Sequence, residues 1–218
     1  MGTITRSFAN NITTSGVLLP ASLNNNSIAN VTAYNASVAT GGMKLISSQT
    51  ASNSASISFT TGIDSTYKEY QFYFIDIHPR TDNCDFQFQG STNGGSTYAT
   101  TITSTCFRAF HNESDSATSL AYNTGGDLAQ STSFQFLTDQ TIGNDADQAG
   151  AGSLTLFNPA STTYVKHFIH TISTTNLNDY AVNSFMAGYF NTTSAINAIQ
   201  FKMDSGNFDG TILLYGIV

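Results

Sequence analysis

The sequence predicts an all-β fold, an antiparallel β-sandwich of jelly-roll type with an extended N-terminal arm, and two observations favour it. From Met43 onward, apolar and polar residues alternate with a period of two between turns rich in Gly, Asn, Asp and Ser. No helical pattern alternates with these runs, as a parallel α/β sheet would require. A chain of 218 residues is within the size of a single sandwich. We therefore expect an arm over residues 1–42 and one β-sandwich domain over residues 43–218.

The predicted arm differs from the rest of the chain because neither a helical nor a two-residue period is sustained in it. Single apolar residues stand in a background of Asn, Ser and Thr, and Gly41-Gly42 closes the segment. So few apolar residues cannot offset the conformational entropy of the segment, so we expect it to lie on neighbouring chains. The side chains expected to enter grooves of a partner are Ile4, Phe8, Ile12, Val17, Leu18 and Leu19.

Three strands are predicted in the first part of the domain. They are residues 44–48, residues 54–60 with Ile57 and Phe59 inward, and residues 67–79. In the third strand, the two sets of apolar residues on opposite faces are Tyr70, Phe72 and Phe74, and Tyr73, Ile75 and Ile77. A strand that is apolar on both faces is central in its sheet or covered.

The rest of the domain is predicted to continue as strand pairs, about 8 to 10 strands in all. Residues 85–89 are expected to form a hairpin with residues 101–110 through a turn at Asn93-Gly94-Gly95, and residues 111–130 and 139–152 are expected to be long loops. The later predicted strands are residues 153–157 paired with 164–172, then 184–190, 198–203 and 211–218. The last is nearly all apolar, so we expect it to pair inside a sheet, after a hairpin turn over residues 205–210.

The charge of the chain argues against a nucleic-acid partner. Its formal net charge is −7, from 14 acidic and 7 basic residues, and no cluster of Lys or Arg occurs. No apolar run approaches the ~20 residues that span a bilayer. The first residues also lack the apolar core of a secretory signal. We therefore expect neither nucleic-acid nor membrane binding.

Two patterns resemble metal sites, and neither is favoured. His167 and His170 are three residues apart, which places them on opposite faces of a strand, so one is expected in the core and one at the surface. The acidic loop residues that could bind calcium are Asp82, Asp85, Asp145 and Asp147. Their spacing is not that of an EF-hand, and turn formation by their side chains is the simpler interpretation. No cofactor is expected.

No catalytic motif is found in the sequence. Glu69 and Glu113 are the only glutamates, and nothing links them as an acid pair. There is no Gly-x-Ser-x-Gly, and the Gly-rich segments lack the Lys of a phosphate loop. Cys84 and Cys106 could be buried thiols or one cross-strand disulfide, and we favour free, buried thiols. We do not expect an enzyme.

The aromatic residues, ten Tyr and 16 Phe, lie mostly at inward positions of the alternating strands. This placement indicates core packing rather than a carbohydrate-stacking surface. Tyr98, Tyr122 and Tyr180 fall in or near loops. They are the predicted contacts if the domain binds a ligand.

Five segments resemble virion proteins of tailed phages that infect marine bacteria. They are MGTITRSFANNITTSGVLLP, SQTASNSASISFTTGIDSTYKEYQFYFIDIHPRTDN, FQGSTNGGSTY, LFNPASTTYVKHF and YFNTTSAINAIQFKMDSGNFDGTILLYGIV. The resemblance covers nearly the whole chain and implies a jelly-roll-like domain carried on a virion, as a capsid decoration protein or in a tail or head appendage. It implies no catalytic residue.

Two functions are therefore expected from the sequence, both of them non-enzymatic. The first is a capsid decoration or cement protein of the virion, assembled in the host cytoplasm, whose arm binds the major capsid protein or other virion proteins. A homo-oligomer is expected, and a trimer would match the threefold sites of a shell. The alternative is a tail- or head-fibre module that binds a host surface glycan through residues 111–130 and 139–152. A glycan-degrading tail enzyme would need an acidic pair, which the sequence does not reveal.

Overall fold

A computed structural model describes residues 42–218, which form twelve β-strands and no helix. The strands are β1 (Met43–Ser54), β2 (Ile57–Phe59), β3 (Glu69–Pro79), β4 (Phe86–Ser91), β5 (Ile102–Asn112), β6 (Thr118–Tyr122), β7 (Gln135–Phe136), β8 (Gly150–Phe157), β9 (Lys166–Thr175), β10 (Tyr180–Phe190), β11 (Ala198–Met203) and β12 (Phe208–Ile217). Within this part of the chain there is consequently no helix that could cross a membrane.

The strands form two antiparallel sheets that pack face to face. The larger sheet has eight strands in the order β1-β12-β3-β8-β9-β10-β5-β6, and the smaller has four in the order β2-β11-β4-β7. This arrangement confirms the predicted all-β sandwich. The structure has more strands than predicted, in part because β6 and β7 are short.

The last strand of the chain lies inside the larger sheet, as predicted. β12 pairs with β1 on one side and with β3 on the other. Ile212 and Leu214 point into the core and are fully buried. The predicted central position of β3, between β12 and β8, is also confirmed.

Two predicted hairpins are wrong because the chain crosses between the sheets at both turns. β4 belongs to the smaller sheet, whereas β5 pairs with β6 and β10 in the larger one. The predicted turn does form, since Gly94 and Gly95 have φ values of 70° and 87° and Asn93 Oδ1 accepts a hydrogen bond from the Thr97 N–H at 3.0 Å. This turn changes the direction of the chain, but the strand that follows does not pair with β4. The residues between Met203 and Phe208 likewise lead from β11 in the smaller sheet to β12 in the larger one, and residues 208–210 of the predicted turn belong to β12.

The predicted loop over residues 111–130 is wrong in its centre, where β6 pairs with β5. The turn between these strands closes around Asn112, whose side-chain oxygen accepts hydrogen bonds from the Ser116 and Ala117 N–H groups, both at 2.9 Å. Such a side-chain-closed turn leaves enough residues for a short partner strand.

A β-bulge corrects the predicted orientation of Ile77. Asp76 has a φ of 52°, and the pairing of β3 with β8 shifts register between Phe74 and Ile77. The extra residue turns Ile77 to the same side as Phe74, where it is fully buried. Opposite the bulge, Gly210 has a φ of 135°, and a Cβ there would lie 2.8 Å from the Asp76 carbonyl oxygen. Only glycine fits this close approach.

Aromatic rings from both sheets fill the core. Phe201 on β11 lies at its centre, with ring centroids 5.1 to 6.3 Å from those of Phe59, Phe72, Phe74, Phe86 and Phe88. Most of these contacts are edge-to-face or offset, the geometry that aromatic pairs prefer. Ile57 and Phe59 point inward, as predicted.

Candidate interaction surface

The larger sheet has an outer face, defined here as the side that points away from the smaller sheet. Its middle row of paired residues crosses seven strands and consists of Leu213, Tyr73, Ser153, Thr171, Phe185, Phe107 and Tyr122. One flanking row consists of Leu45, Tyr215, Gln71, Thr155, Ile169, Ala187 and Thr105. The other consists of Ala151, Ser173, Asn183, Ala109 and Leu120. None of the three rows contains an Asp, Glu, Lys or Arg residue.

The outer face carries most of the exposed large apolar side chains of residues 42–218. Ten such side chains are exposed, and seven of them lie on this face, each 42% to 74% exposed. These seven are Met43, Leu45, Ile75, Phe107, Leu120, Tyr122 and Ile169. Exposed apolar residues scattered singly need no explanation, but a concentration on one face with few charged residues indicates a contact surface.

The first cluster on this face, the β3 patch, consists of Met43, Leu45, Tyr73, Ile75, Leu213 and Tyr215. All but Leu45 line a shallow hollow of about 370 Å³. The rings of Tyr73 and Tyr215 meet edge to face at 5.7 Å, and the Tyr73 hydroxyl donates a hydrogen bond to Gln71 at 3.0 Å. The tyrosines are thus held in position before any partner binds.

The second cluster, the β5 patch, consists of Phe107, Leu120, Tyr122, Ile169 and Phe185. The rings of Phe107 and Phe185 stack at 4.9 Å with an interplanar angle of 9°. The Tyr122 hydroxyl donates a hydrogen bond to Asp127, and this bond raises the pKa of Tyr122. Ile169, on β9, is the member of this patch nearest the centre of the face, and hydroxyl side chains of β8 and β9 such as Ser153 and Thr171 separate the other members from the β3 patch.

A buried ion pair lies on the other side of β5. The Arg108 guanidinium pairs with Asp139, whose side chain is fully buried. Asp139 also accepts hydrogen bonds from Asn123 and, at 3.3 Å, from the Cys106 thiol. Burial, and next the charge of Asp139, raises the pKa of Cys106 to about 12. A thiol held in its protonated form beside a fully engaged carboxylate is a structural element and not a nucleophile.

A partly buried carboxyl group, that of Asp85, lies immediately before β4. Thr138 Oγ1 donates a hydrogen bond to Asp85 Oδ1 at 2.8 Å, and the Asp85 N–H donates to Asp204 Oδ1 at 3.0 Å. Burial raises the pKa of Asp85 to about 6, and the charges of Asp204 and Asp139 also raise it. The Asp85 carboxyl group therefore takes up a proton at a pH closer to neutral than an ordinary aspartate does.

A polar hollow lies at the end of the sandwich where β5 begins and β10 ends. It has a volume of about 280 Å³ and is lined by Thr92, Thr97, Ala99, Thr100, Thr101, Asn191 and Thr192. The buried Lys166 ammonium donates to the carbonyl oxygens of Thr192 at 2.9 Å and Tyr164 at 3.0 Å. It thereby ties the wall of the hollow to a loop whose Tyr164 ring is 72% exposed.

The three tyrosines predicted as ligand contacts lie in different environments. Tyr98 follows β4, and its hydroxyl is buried without a hydrogen-bond partner among the described residues. Tyr180 begins β10 and stacks on Phe110 at 5.4 Å. Tyr122 ends β6 and is 54% exposed, so it belongs to the outer face and not to a loop. The structure does not bring the three together.

The histidines and cysteines lie where the sequence predicted. His167 is exposed and His170 is buried on opposite faces of β9. His170 Nε2–H donates to the Leu137 carbonyl at 2.5 Å, and burial lowers the pKa of His170 to about 3. Cys84 and Cys106 are free, buried thiols, as favoured.

The acidic residues considered for catalysis or metal binding do not form a site within residues 42–218. Three strands separate Glu69 on β3 from Glu113 after β5, which is too far for an acid pair ~5–10 Å apart. No group of three or more His, Cys, Asp or Glu side chains in this part of the chain is placed to hold a metal ion. Of the proposed calcium ligands, Asp82 accepts a hydrogen bond from the Asn144 N–H at 3.3 Å, which is turn chemistry.

The arm residues predicted to bind a partner lie outside the described residues. They are Ile4, Phe8, Ile12, Val17, Leu18 and Leu19. Their role stays a prediction.

The outer-face residues Phe107, Ile169 and Phe185 were not predicted as functional. Each is an apolar residue at an outward position of its strand whose neighbours in that phase are polar or small, so local alternation gives little signal. The Arg108–Asp139 pair carried no signal, because 31 residues separate its members.

Comparison of the chain with protein-family models, with curated proteins and with solved structures found no match.

Proposed function

We propose that this chain is a non-enzymatic structural protein of a phage virion, and that within the virion it is a capsid decoration protein. The observation that carries the proposal is the outer face of the larger sheet, whose three central rows are uncharged and apolar at both ends. Soluble monomers rarely expose contiguous apolar patches larger than a few hundred Å². A protein that works inside an assembly is expected to present such a face.

The sandwich supplies a rigid body for this role. Its interior is filled by interlocking aromatic rings, and its buried charged side chains are engaged, Asp139 by Arg108 and Lys166 by two carbonyl oxygens. In the proposed particle, residues 1–42 anchor the chain to the major capsid protein or to another virion protein. The sandwich then stabilises the shell from outside.

Copy number in purified particles tests the proposal. Quantitative mass spectrometry would measure this chain against the major capsid protein. Hundreds of copies support a decoration protein. A few copies to a few dozen would contradict decoration and place the chain in an appendage, and absence from particles would contradict both.

The anchoring role of the arm has a separate test. Replacing Val17, Leu18 and Leu19 together by serine should abolish attachment to particles, because it removes the longest apolar run of the arm. Serine at Val31, Ala33 and Val38 is a matched control within the same segment. Equal attachment of both variants would contradict anchoring through the predicted residues.

A second candidate, a fibre module that binds a host glycan, is favoured by the polar hollow. Threonine hydroxyls and an asparagine amide can both donate and accept hydrogen bonds, as saccharide hydroxyls require. The exposed ring of Tyr164 supplies an apolar surface on a loop tied to the hollow by Lys166.

A glycan array tests this candidate. Binding that Tyr164→Ala reduces and Tyr122→Ala leaves unchanged would support the hollow. The reverse result would favour the tyrosine predicted from the sequence. No binding to any glycan would contradict this candidate.

A further inference from the structure

We propose that the outer face of the larger sheet is covered by a second copy of this chain. The inference rests on the proposed structural role and names the partner of that surface. The relevant observation is the composition of the three rows: apolar side chains cluster at both ends, hydroxyl and small side chains lie between them, and no Asp, Glu, Lys or Arg is present.

Charge favours a second copy as the occupant. Each chain carries a formal net charge of −7, so two copies repel one another wherever their acidic surfaces meet. The three uncharged rows are where they can approach without placing like charges opposite each other, and Glu69 lies on the same face only in the next row, with Met43 and Ile217. A strongly basic or acidic partner would find no counter-charge in the three rows, whereas an identical neutral face is complementary to it.

The size of the face fits a stable contact. Seven strands spaced ~4.8 Å apart and three rows spaced ~6.8 Å apart cover roughly 700 Å². This is close to the ~800 Å² per partner of a standard interface. The patches near the ends include Tyr73, Tyr215 and Tyr122, and tyrosine is among the residue types enriched in the side chains that dominate binding energy.

The side chains also suit packing of one sheet on another. Facing sheets lie ~10 Å apart, with side chains from both interdigitating. The small residues of the centre, such as Ser153, Thr171 and Ala187, leave room for larger side chains of a facing sheet. Contact of the same face on both copies is isologous and closes as a dimer. The trimer expected from shell symmetry would require two different faces.

The mass of the full-length chain in solution tests the inference. Light scattering coupled to size exclusion, over about 1 to 100 μM, should give a dimer. Ile169→Lys places a charge near the centre of the face at a side chain that is 56% exposed. This variant should fold normally, with an unchanged circular dichroism spectrum, and raise the dimer dissociation constant about a hundredfold.

Leu177→Lys is the matched control, because Leu177 is an exposed apolar residue of the turn between β9 and β10, away from the three rows. It should leave the dimer intact. Thr171→Lys is a second variant on the middle row and should behave as Ile169→Lys does, without loss of an apolar side chain. A monomeric wild type, or an oligomer whose mass neither face variant changes, would overturn the inference.

These outcomes are independent of the copy-number test. A monomer present in hundreds of copies per particle would overturn the second-copy inference and leave the decoration proposal standing. A wild-type dimer that Ile169→Lys dissociates, in a protein found at only a few copies per particle, would support the second-copy inference and contradict the decoration proposal.

Discussion

The inner and outer faces of the larger sheet alternate along the same strands, and they differ in what covers them. An inner row consists of Leu214, Phe72, Leu154, His170, Met186 and Cys106, all 2% exposed or less. The neighbouring outer row, from Leu213 to Tyr122, is also uncharged but is partly exposed. Both faces have the composition of surfaces that are buried. The smaller sheet and its loops cover the inner face, and the proposed partner would cover the outer one.

The largest expected difference between the faces is at two adjacent residues of β3. Phe72→Ala should lower the free energy of unfolding by about 3–5 kcal/mol, because it removes a buried ring that contacts Phe59 and Phe201. Tyr73→Ala, one residue further on and on the outer face, should cost less than about 1 kcal/mol. Urea unfolding of both variants measures the contrast. Equal losses would mean that the outer face is as important for folding as the inner one.

The next largest effect on the free energy of unfolding is expected at the ion pair between Arg108 and Asp139, on the inner side of β5. Asp139→Asn should cost about 3 kcal/mol, because it leaves the Arg108 charge without its buried partner. Asp115→Asn is the control, since Asp115 pairs with His111 at an exposed site where ion pairs contribute little. The comparison uses chemical denaturation at neutral pH. A loss no larger than that of the control would mean that Asn123 and Cys106 hold the site without the charge.

A smaller effect is expected from pH, through Asp85. Because the pKa of Asp85 rises from its ordinary value of 3.8 to about 6 in the folded chain, the folded state binds this proton more tightly than the unfolded state. The associated stability is fully present below pH 3.8 and is lost as the pH rises through about 6.

Wild type should therefore lose on the order of 2 kcal/mol between about pH 4 and pH 7 relative to Asp85→Asn, which cannot titrate. Unfolding experiments at several pH values, with the variant as the baseline, measure this difference. Parallel pH profiles for the two proteins would contradict a titrating Asp85.

The smallest effect on folding is expected at the centre of the outer face. Ile169→Thr keeps a β-branched residue at an exposed strand position, so the unfolding free energy at low protein concentration should change by less than about 0.5 kcal/mol. If a second copy covers the face, the Tm of wild type rises with protein concentration, and the variant weakens this dependence. Differential scanning fluorimetry over a concentration series measures both. A large change in stability at low concentration would mean that Ile169 contributes to the monomer core.

Sequence alternation was sufficient to predict the sandwich, because each strand must place one set of residues inward. It predicted Ile57 and Phe59 correctly, as well as the opposite orientations of His167 and His170. It failed for Ile77, because the bulge at Asp76 inserts a residue that alternation cannot anticipate. It also failed at the turns after β4 and β11, because a local turn sequence does not specify whether the chain returns to the same sheet or crosses to the other.

The candidate surface was only half predictable. Apolar residues on both faces of residues 67–79 indicated that β3 is central, and Tyr73 and Ile75 on its second face are now part of the β3 patch. The β5 patch depends on the pairing of Phe107 with Phe185, which lie 78 residues apart and meet only through the order of strands in the sheet. Long-range pairing of this kind leaves no local pattern.

The position of β12 has a consequence for how the protein is made. Among the strands that the structure describes, β1 is the first to be synthesised and pairs within the larger sheet with β12 alone, which leaves the ribosome after the other eleven. Until translation has passed Ile217, the edges of β1 and β3 that pair with β12 in the folded sheet have no partner. Unpaired strand edges favour aggregation, so the nascent chain is exposed to it at two places. Closure of the sheet must await the end of this domain's synthesis, and it joins residues that are far apart in the chain, which makes it slow. Yield on expression should therefore rise when chaperones bind these unpaired edges during translation, or when a lower temperature slows aggregation through them.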